Sequence, residues 1–218
     1  MEPFVTENNI SEKASEWLEI ISPYNQHEME LNIDAAALLL IDCQKYFLDK
    51  NTGGFCIGGV AALPNMKKLL DAFRAAGRPA IFSRHVHHPD GIDAGILGWW
   101  WGDMIVEGTK GAEIADELSP NPDEYIIRKH RYSAFYNTDL ETVLRCYGIE
   151  DIVIAGVMTN LCCETTARDA FIRDYRVFFP ADANGAATEE MQLASLTNIS
   201  WGVAYVCKTD ELIEAMGG

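Results

Sequence analysis

A cysteine lies at the point in this sequence where an apolar run gives way to a helical pattern. Residues 152–155 (IVIA) have the composition of a buried strand, and residues 156–166 (GVMTNLCCETT) follow directly and open a helix-like stretch. The first N–H groups of a helix lack partners within the helix and carry partial positive charge, so they favour a thiolate and can hold an oxyanion. We therefore expect Cys162 to act as a nucleophile.

A carboxylate and an ammonium group also follow apolar runs. Asp42 comes directly after residues 36–41, and Lys129 lies just past residues 125–127. Taken singly, such residues also have ordinary explanations, as a turn former, a solvated lysine or a small buried cysteine. Because the carboxyl ends of parallel strands form one ligand-binding edge, we expect Asp42, Lys129 and Cys162 to meet there as base, cation and nucleophile.

These positions depend on apolar runs that alternate with amphipathic segments. Six runs predict strands, at residues 36–41, 79–82, 125–127, 152–155, 176–179 and 203–206. Five other stretches predict helices, at residues 65–76, 138–147, 159–174, 188–199 and 210–216. Strands that alternate with helices form parallel sheets that are covered on both faces. The sequence therefore predicts an α/β fold, a Rossmann-like three-layer α-β-α sandwich with a six-stranded parallel sheet.

The amino-terminal segment lies outside this alternation. We assign residues 1–35 to an amino-terminal arm, which carries Trp17 and would pack on the domain or on another subunit, and residues 36–218 to a single domain. The chain has 218 residues, of which 48% are hydrophobic, enough for one domain with a substantial core.

Charge and cysteine content limit the possible partners. The net charge of -16 argues against binding to nucleic acid or to anionic membranes, so a small-molecule partner is expected. No apolar stretch reaches the ~18 residues of a membrane span, and the acidic start does not resemble a secretion signal. We expect a cytoplasmic protein whose six cysteines are reduced thiols, without a structural zinc site.

Three motifs in the expected order resemble those of the isochorismatase-like cysteine hydrolases. The motifs are residues 39–47 (LLIDCQKYF), residues 129–135 (KHRYSAF) and residues 156–162 (GVMTNLC). This superfamily includes nicotinamidases, N-carbamoylsarcosine amidase and ureidoacrylate hydrolases. The resemblance implies that Cys162 attacks a carbonyl to form a thioester, that Asp42 transfers the protons and that Lys129 favours the thiolate. Cys163, one residue further along the helix, is interpreted as a packing residue.

The resemblance also implies the surroundings of the nucleophile. A cis peptide bond is expected between Val157 and Met158, and the N–H groups of Met158 and Cys162 would face the oxyanion. We predict substrate contacts from four aromatic side chains, those of Phe47, Trp100, Tyr132 and Phe135. The tryptophans at positions 99–101 are equally consistent with a pocket wall and with a contact in an oligomer. The resemblance implies a homodimer or homotetramer.

A possible metal site is altered in this sequence. Nicotinamidases of the superfamily bind a divalent metal through an Asp-x-His motif and a further histidine, whereas here residues 83–88 read SRHVHH, with His85 in the place of the aspartate. His85 and His87 are the metal candidates, with Asp90 and Asp93 as possible additional ligands; alternatively, the histidines brace the pocket through hydrogen bonds. We expect no cofactor, and nicotinamide is a less favoured substrate.

Three functions are consistent with the sequence. The first is a cysteine hydrolase that cleaves the C–N bond of a small carboxamide or N-carbamoyl compound. The second is an isochorismatase-type hydrolase of a vinyl ether, which releases pyruvate and needs Asp42 as an acid; members with that activity typically lack the cysteine. The third is a non-catalytic binding or scaffold protein that uses the arm and the tryptophans.

Overall fold

Strand β1 (Ala36–Ile41) lies at the centre of the fold, and all of its residues are buried. The computed structural model describes residues 3–217. The odd-numbered residues of β1 belong to one hydrophobic cluster and the even-numbered residues to a second. Because side chains alternate between the two faces of a strand, β1 separates two cores.

The sheet around β1 is parallel throughout. The other strands in the described residues are β2 (Ala80–His85), β3 (Tyr125–Lys129), β4 (Asp151–Val157), β5 (Arg176–Pro180), β6 (Asn184–Gly185) and β7 (Tyr205–Cys207). Six strands lie in the order β3-β2-β1-β4-β5-β7, and the two-residue β6 pairs with β4 beside this path. All of the pairings are parallel. The predicted α/β fold with one parallel sheet is thereby confirmed.

Helices cover both faces of the sheet. One core contains side chains of α3 (Ile57–Ala75) and α8 (Thr209–Ala215). The other contains side chains of α1 (Ile10–Ile21), α5 (Leu140–Cys146), α6 (Glu164–Phe171) and α7 (Glu189–Gly202). Two short helices, α2 (Lys45–Leu48) and α4 (Ile96–Trp101), follow β1 and β2. Within residues 3–217, none of the helices has the length and apolar character needed to cross a membrane.

Helix α3 begins earlier than the sequence predicts. The prediction placed its start beside Pro64, because proline is common in a first helical turn. The helix instead begins at Ile57 and contains Pro64, whose missing N–H removes one helical hydrogen bond. Its first turn packs against the segment that follows β6, where the Gly58 N–H donates to the Ala186 carbonyl at 3.2 Å. This tertiary contact provides an acceptor for an N–H group in the first turn, so the helix can begin well before Pro64.

The predicted helix 159–174 is divided into two parts. Residues Thr159–Cys163 form a π-helical turn, and α6 continues only to Phe171. The Thr159 hydroxyl donates to Gln192 Oε1 of α7 at 2.7 Å, and both side chains are buried. The wide turn is therefore anchored to α7 at its start, directly before the candidate nucleophile.

The amino-terminal arm packs on the domain of its own chain. Helix α1 contacts α7, and Trp17, only 1% exposed, donates its indole N–H to Glu189 Oε1 at 2.9 Å. Further along the arm, the Asn25 side chain pairs with both backbone groups of Val206 in β7. The arm thus packs on α7 and pairs with β7, the last strand in the order of the sheet, in the described structure.

Candidate active site

Three side chains from distant parts of the chain meet at the carboxyl edge of the sheet. Asp42 follows β1, Lys129 is the last residue of β3, and Cys162 lies in the π-helical turn after β4. The Lys129 side chain reaches past β2, so that its Nζ lies 2.6 Å from Asp42 Oδ2 and 3.3 Å from Cys162 Sγ. The structure thus brings together the three residues that the sequence analysis selected.

The backbone turns sharply at Asp42, which has a φ of 49° in the left-handed region. Its N–H donates to Ser83 Oγ at 3.1 Å, and the Ser83 hydroxyl donates to Asp42 Oδ1 at 2.6 Å. Apart from the ion pair with Lys129, Oδ2 accepts no hydrogen bond from residues 3–217. Ser83 therefore holds one carboxylate oxygen, while the other has a lone pair available for a proton from the thiol.

Burial and charge act in opposite directions on these groups. Burial lowers the pKa of Lys129, but the negative charge of Asp42 and the hydrogen bond to its carboxylate act against burial, so the net pKa is raised and the side chain is an ammonium. Burial raises the pKa of Cys162 to about 12, against the opposing charge of Lys129. The resting site therefore holds a charged pair beside a protonated thiol.

His85, at the end of β2, lies against the same lysine. Its Nδ1 is 3.3 Å from Lys129 Nζ, and its Nε2 is 3.0 Å from Nε2 of His87. Gln44 fixes the backbone of His85, since its Oε1 accepts the His85 N–H at 2.8 Å and its Nε2 donates to the His85 carbonyl at 3.1 Å. Burial lowers the pKa of His85 to about 2, with the Lys129 charge as the next cause, so the imidazole is neutral.

Gln44 and Ser83 contribute to the site but were not among the predicted site residues. Gln44 lies two residues after Asp42, and Ser83 lies inside β2, next to the end of the predicted strand at residue 82. Buried polar side chains normally have partners, so a serine and a glutamine beside apolar runs were a usable signal.

A cavity of about 190 Å³ opens above Cys162. Its walls are mainly aromatic and apolar, with contributions from α2, α4 and the loop that follows α4. The lining residues are Tyr46, Phe47, Gly53, Gly54, His85, His87, Leu97, Trp101, Asp103, Met104, Ile105, Tyr132, Met158, Leu161 and Cys162. A planar ligand of small size would fit between such walls.

The four predicted substrate contacts divide into two groups. Phe47 and Tyr132 line the cavity. Trp100 is 64% exposed and is not among the lining residues. Its neighbour Trp101 lines the cavity instead and donates its indole N–H to Tyr132 Oη at 2.9 Å. Phe135 is buried in the core, where it stacks on Tyr175. A short helix presents only one of three adjacent tryptophans to the cavity, and the sequence does not indicate which one.

The proposed oxyanion donors also belong to the cavity wall. Met158 and Cys162 both line it, and the peptide bond between Val157 and Met158 is cis. Cys163 is fully buried and belongs to the core on the α6 side. The two adjacent cysteines thus differ in surroundings, because only the first faces the cavity.

The amino-acid sequence matches one family model and several characterised proteins. The family model, described as an isochorismatase domain, matches residues 36–211. The chain is 39% identical over 199 residues to nicotinamidase 3 of Arabidopsis thaliana, covering 89% of this chain and 96% of that protein. It is 30% identical to the ureidoacrylate amidohydrolase RutB of Agrobacterium fabrum, covering 87% of this chain and 93% of that protein.

The fold is also similar to a solved structure. The crystal structure of a cysteine hydrolase from Pseudomonas syringae pv. phaseolicola 1448A superposes with a TM-score of 0.83 at 31% sequence identity. The superposition covers 87% of this chain and 96% of that one. The match to the family model extends over the strands that deliver Asp42, Lys129 and Cys162.

Proposed function

Because this chain belongs to the isochorismatase family of hydrolases, we propose that it cleaves the C–N bond of a small carboxamide with Cys162 as the nucleophile. The observation that supports this most directly is the position of the buried Lys129 ammonium, 2.6 Å from Asp42 and 3.3 Å from Cys162, below the cavity. A thiol, an adjacent proton acceptor and a fixed cation are the groups that thioester formation requires.

The first half of the reaction forms the thioester. As Cys162 Sγ attacks the carbonyl carbon, its proton passes to Asp42 Oδ2, and Lys129 stabilises the negative charge that develops on sulfur. The N–H groups of Met158 and Cys162 stabilise the tetrahedral oxyanion. Asp42 then returns the proton to the nitrogen, the C–N bond breaks, and the amine leaves as a neutral molecule.

The second half of the reaction uses water. A water molecule that takes the place of the amine attacks the thioester carbon, and Asp42 takes one of its protons. When the C–S bond breaks, that proton returns to sulfur, so the carboxylic acid is released and the Cys162 thiol is regenerated. In each half-reaction, Asp42 thus accepts one proton as a base and then donates it as an acid.

The cavity favours an uncharged substrate. Among the described residues that line it there is no lysine or arginine, and Asp103 is an acidic residue whose Oδ2 accepts the Tyr46 hydroxyl at 2.6 Å. A substrate carboxylate would lose its hydration without gaining a cationic partner. Together with the similarity to a plant nicotinamidase, this makes nicotinamide the first compound to test, although the altered metal motif disfavours it at the sequence level.

The test measures ammonia and pyruvate released from nicotinamide, ureidoacrylate and isochorismate. We expect ammonia from nicotinamide with the wild type, and a loss of at least about a thousandfold in kcat with Cys162→Ala, since a nucleophile cannot be replaced by binding alone. Cys163→Ala is the matched control, because this thiol is adjacent in sequence but faces the core. It should retain turnover.

The other outcomes identify the alternatives. Pyruvate that is still released by Cys162→Ala would assign the protein to vinyl ether hydrolysis, with Asp42 as the acid. Turnover of ureidoacrylate in preference to nicotinamide would contradict the proposed preference for an uncharged substrate. It would not affect the proposal that Cys162 is the nucleophile. Absence of product from the whole panel would favour a binding protein.

A further inference from the structure

The Lys129 ammonium has more neighbours than protons. It lies 2.6 Å from Asp42 Oδ2, 2.9 Å from the Arg131 carbonyl, and 3.3 Å from both Cys162 Sγ and His85 Nδ1. An ammonium has three N–H donors and no acceptor. Asp42 and Arg131 have the two short contacts, so Cys162 and His85 compete at equal distance for the third proton.

The contact with Lys129 determines the tautomer of His85. Because the ammonium only donates, Nδ1 of His85 accepts and the ring proton is on Nε2. That proton faces His87 Nε2 at 3.0 Å, so His87 carries its own proton on Nδ1, which faces Asp93 Oδ1 at 3.2 Å. Each donor in this series of hydrogen bonds has one acceptor, and neither imidazole ring needs a positive charge.

Asp93, the last acceptor in this series of hydrogen bonds, is held by the backbone. The His88 N–H donates to both carboxylate oxygens of Asp93, at 3.0 and 3.1 Å. His87 is 2% exposed, so its ring is held between His85 and Asp93. The chain Lys129–His85–His87–Asp93 is therefore ordered from the buried lysine to the partly exposed carboxylate.

This arrangement does not fit a metal at the position of the nicotinamidase motif. A metal-bound imidazole must offer a lone pair, but the Nδ1 lone pair of His85 faces the ammonium and its Nε2 carries the proton. His87, Asp93 and His130 also lie within reach of one another. In that group, however, His87 Nε2 accepts the His85 proton and His87 Nδ1 donates to Asp93, so only His130 Nε2 and the Asp93 carboxylate remain as ligands. The Arg128 guanidinium lies 3.8 Å from that carboxylate.

We propose that His85 is a positioning residue that holds one Lys129 proton in the resting site and releases it to Cys162 Sγ as the thiol proton moves to Asp42. His85 and His87 stand at the sequence position of the nicotinamidase metal motif. A thiol is a weak acceptor, so His85 keeps the third ammonium proton at rest; a thiolate is a strong acceptor and takes it. The inference rests on the proposed role of Cys162.

The consequence is that His85 protects the resting thiol from electrophiles. With His85→Leu, the third ammonium proton would have only Cys162 Sγ as acceptor, which stabilises the thiolate. We expect iodoacetamide to alkylate Cys162 about five- to tenfold faster than in the wild type at pH 8, the effect of one charge-assisted hydrogen bond. Loosened packing would also expose Cys162, which is 5% exposed, so a control that keeps the hydrogen bond is needed.

The matched control is His85→Asn, whose Oδ1 can take the position of the imidazole Nδ1 and accept from Lys129. Its alkylation rate should stay within about twofold of the wild type, because the charge-assisted hydrogen bond is retained. The wild type and all variants in this comparison also carry Cys146→Ser, since Cys146 is exposed and would react as well. Peptide mass spectrometry identifies the alkylated cysteine, and circular dichroism verifies the fold of each chain.

A second variant and a metal measurement complete the test. Asp93→Ala removes the last acceptor of the chain and should accelerate alkylation in the same direction but less strongly. The wild type, incubated with Zn²⁺ and gel-filtered, should hold far less than one metal ion per chain by mass spectrometry. Unchanged or slower alkylation in both His85→Leu and Asp93→Ala, or stoichiometric metal that His87→Ala abolishes, would overturn the inference.

These outcomes are separate from those of the proposed function. Alkylation needs no substrate, so it reports on the hydrogen bonds of Cys162 whether or not the natural amide is in the panel. If Cys162→Ala still hydrolyses the substrate, the proposed function fails. If that variant is inactive and His85→Leu does not react faster, only the role of His85 fails.

Discussion

Cys162 is protonated at rest because burial affects its thiol more strongly than the nearby ammonium does. Burial raises its pKa to about 12, so the thiolate fraction is small at neutral pH and grows as the pH rises. This differs from cysteine enzymes that hold a thiolate before substrate arrives. Proton transfer to Asp42 must therefore accompany the attack on the carbonyl.

A pH series of alkylation tests this state. In a Cys146→Ser chain, the rate at which iodoacetamide modifies Cys162 should rise about tenfold per pH unit from pH 7 to pH 9, because only the thiolate reacts and its fraction grows tenfold per unit below the pKa. The rate is measured by peptide mass spectrometry. A plateau below pH 9 would contradict the prediction and indicate a preformed thiolate.

The sequence alone identified the residues of the site whose signal is local. Asp42, Lys129 and Cys162 each follow an apolar run, and a strand end is visible without knowledge of its neighbours. For His85 the sequence indicated a metal ligand or a hydrogen-bonding residue of the pocket, but not its contact with Lys129, because that contact depends on β2 lying between β1 and β3. Strand order across a sheet is a tertiary property, and a single sequence does not encode it in any local pattern.

At the scale of elements, Gly156 of β4 lies beside Ile41 of β1, close to the site. A Cβ on Gly156 would lie 2.1 Å from the Ile41 carbonyl oxygen, and Gly156 has a φ of 139°. The contact joins the residue before Asp42 to the strand that leads to Cys162. The distance between base and nucleophile therefore depends on a glycine at this position.

Gly156→Ala should consequently reduce both stability and activity. The clash is with backbone and cannot be relieved by a rotamer change, so we expect the free energy of unfolding to fall by at least about 3 kcal/mol. Gly77→Ala is the control: Gly77 also has a positive φ, of 64°, but a Cβ there meets nothing within 4 Å. Urea denaturation followed by fluorescence compares the two, and equal losses would mean that backbone conformation alone is responsible.

Helices and strands were predictable from the sequence where their cause is a local pattern, and not where it is a tertiary contact. The buried strands were predictable, since runs such as residues 36–41 are apolar on both faces. The early start of α3 was not, because it depends on the contact between Gly58 and Ala186. The strand β6 has two residues, Asn184–Gly185, which is too short for a periodic pattern.

At the scale of the whole molecule, the amino-terminal arm is part of the core. Trp17 is 1% exposed and belongs to the same hydrophobic cluster as β1 and α7. The arm therefore contributes to folding even though the family model matches only residues 36–211. The homodimer or homotetramer implied by the resemblance stays a prediction.

Trp17→Ala measures this contribution. Removal of a buried indole and of its hydrogen bond to Glu189 should lower the free energy of unfolding by about 3–5 kcal/mol. Trp99→Ala serves as the control, since Trp99 is 74% exposed and its removal should cost less than about 0.5 kcal/mol in the monomer. Both values come from urea denaturation, and a loss in Trp17→Ala no greater than the control would show that the arm folds independently.

The order of the strands across the sheet also determines when the central strand is covered during synthesis on the ribosome. Strand β1 pairs with β2 on one side, but its other partner, β4, begins only at Asp151. At about 5–20 residues per second, roughly ten seconds separate the emergence of Ile41 from that of Asp151. During this interval at least one edge of an entirely apolar strand has unpaired backbone groups, a combination that recruits strands from other chains. The nascent polypeptide is therefore most prone to aggregate before β4 has emerged, and ribosome pausing within this interval would lengthen its exposure.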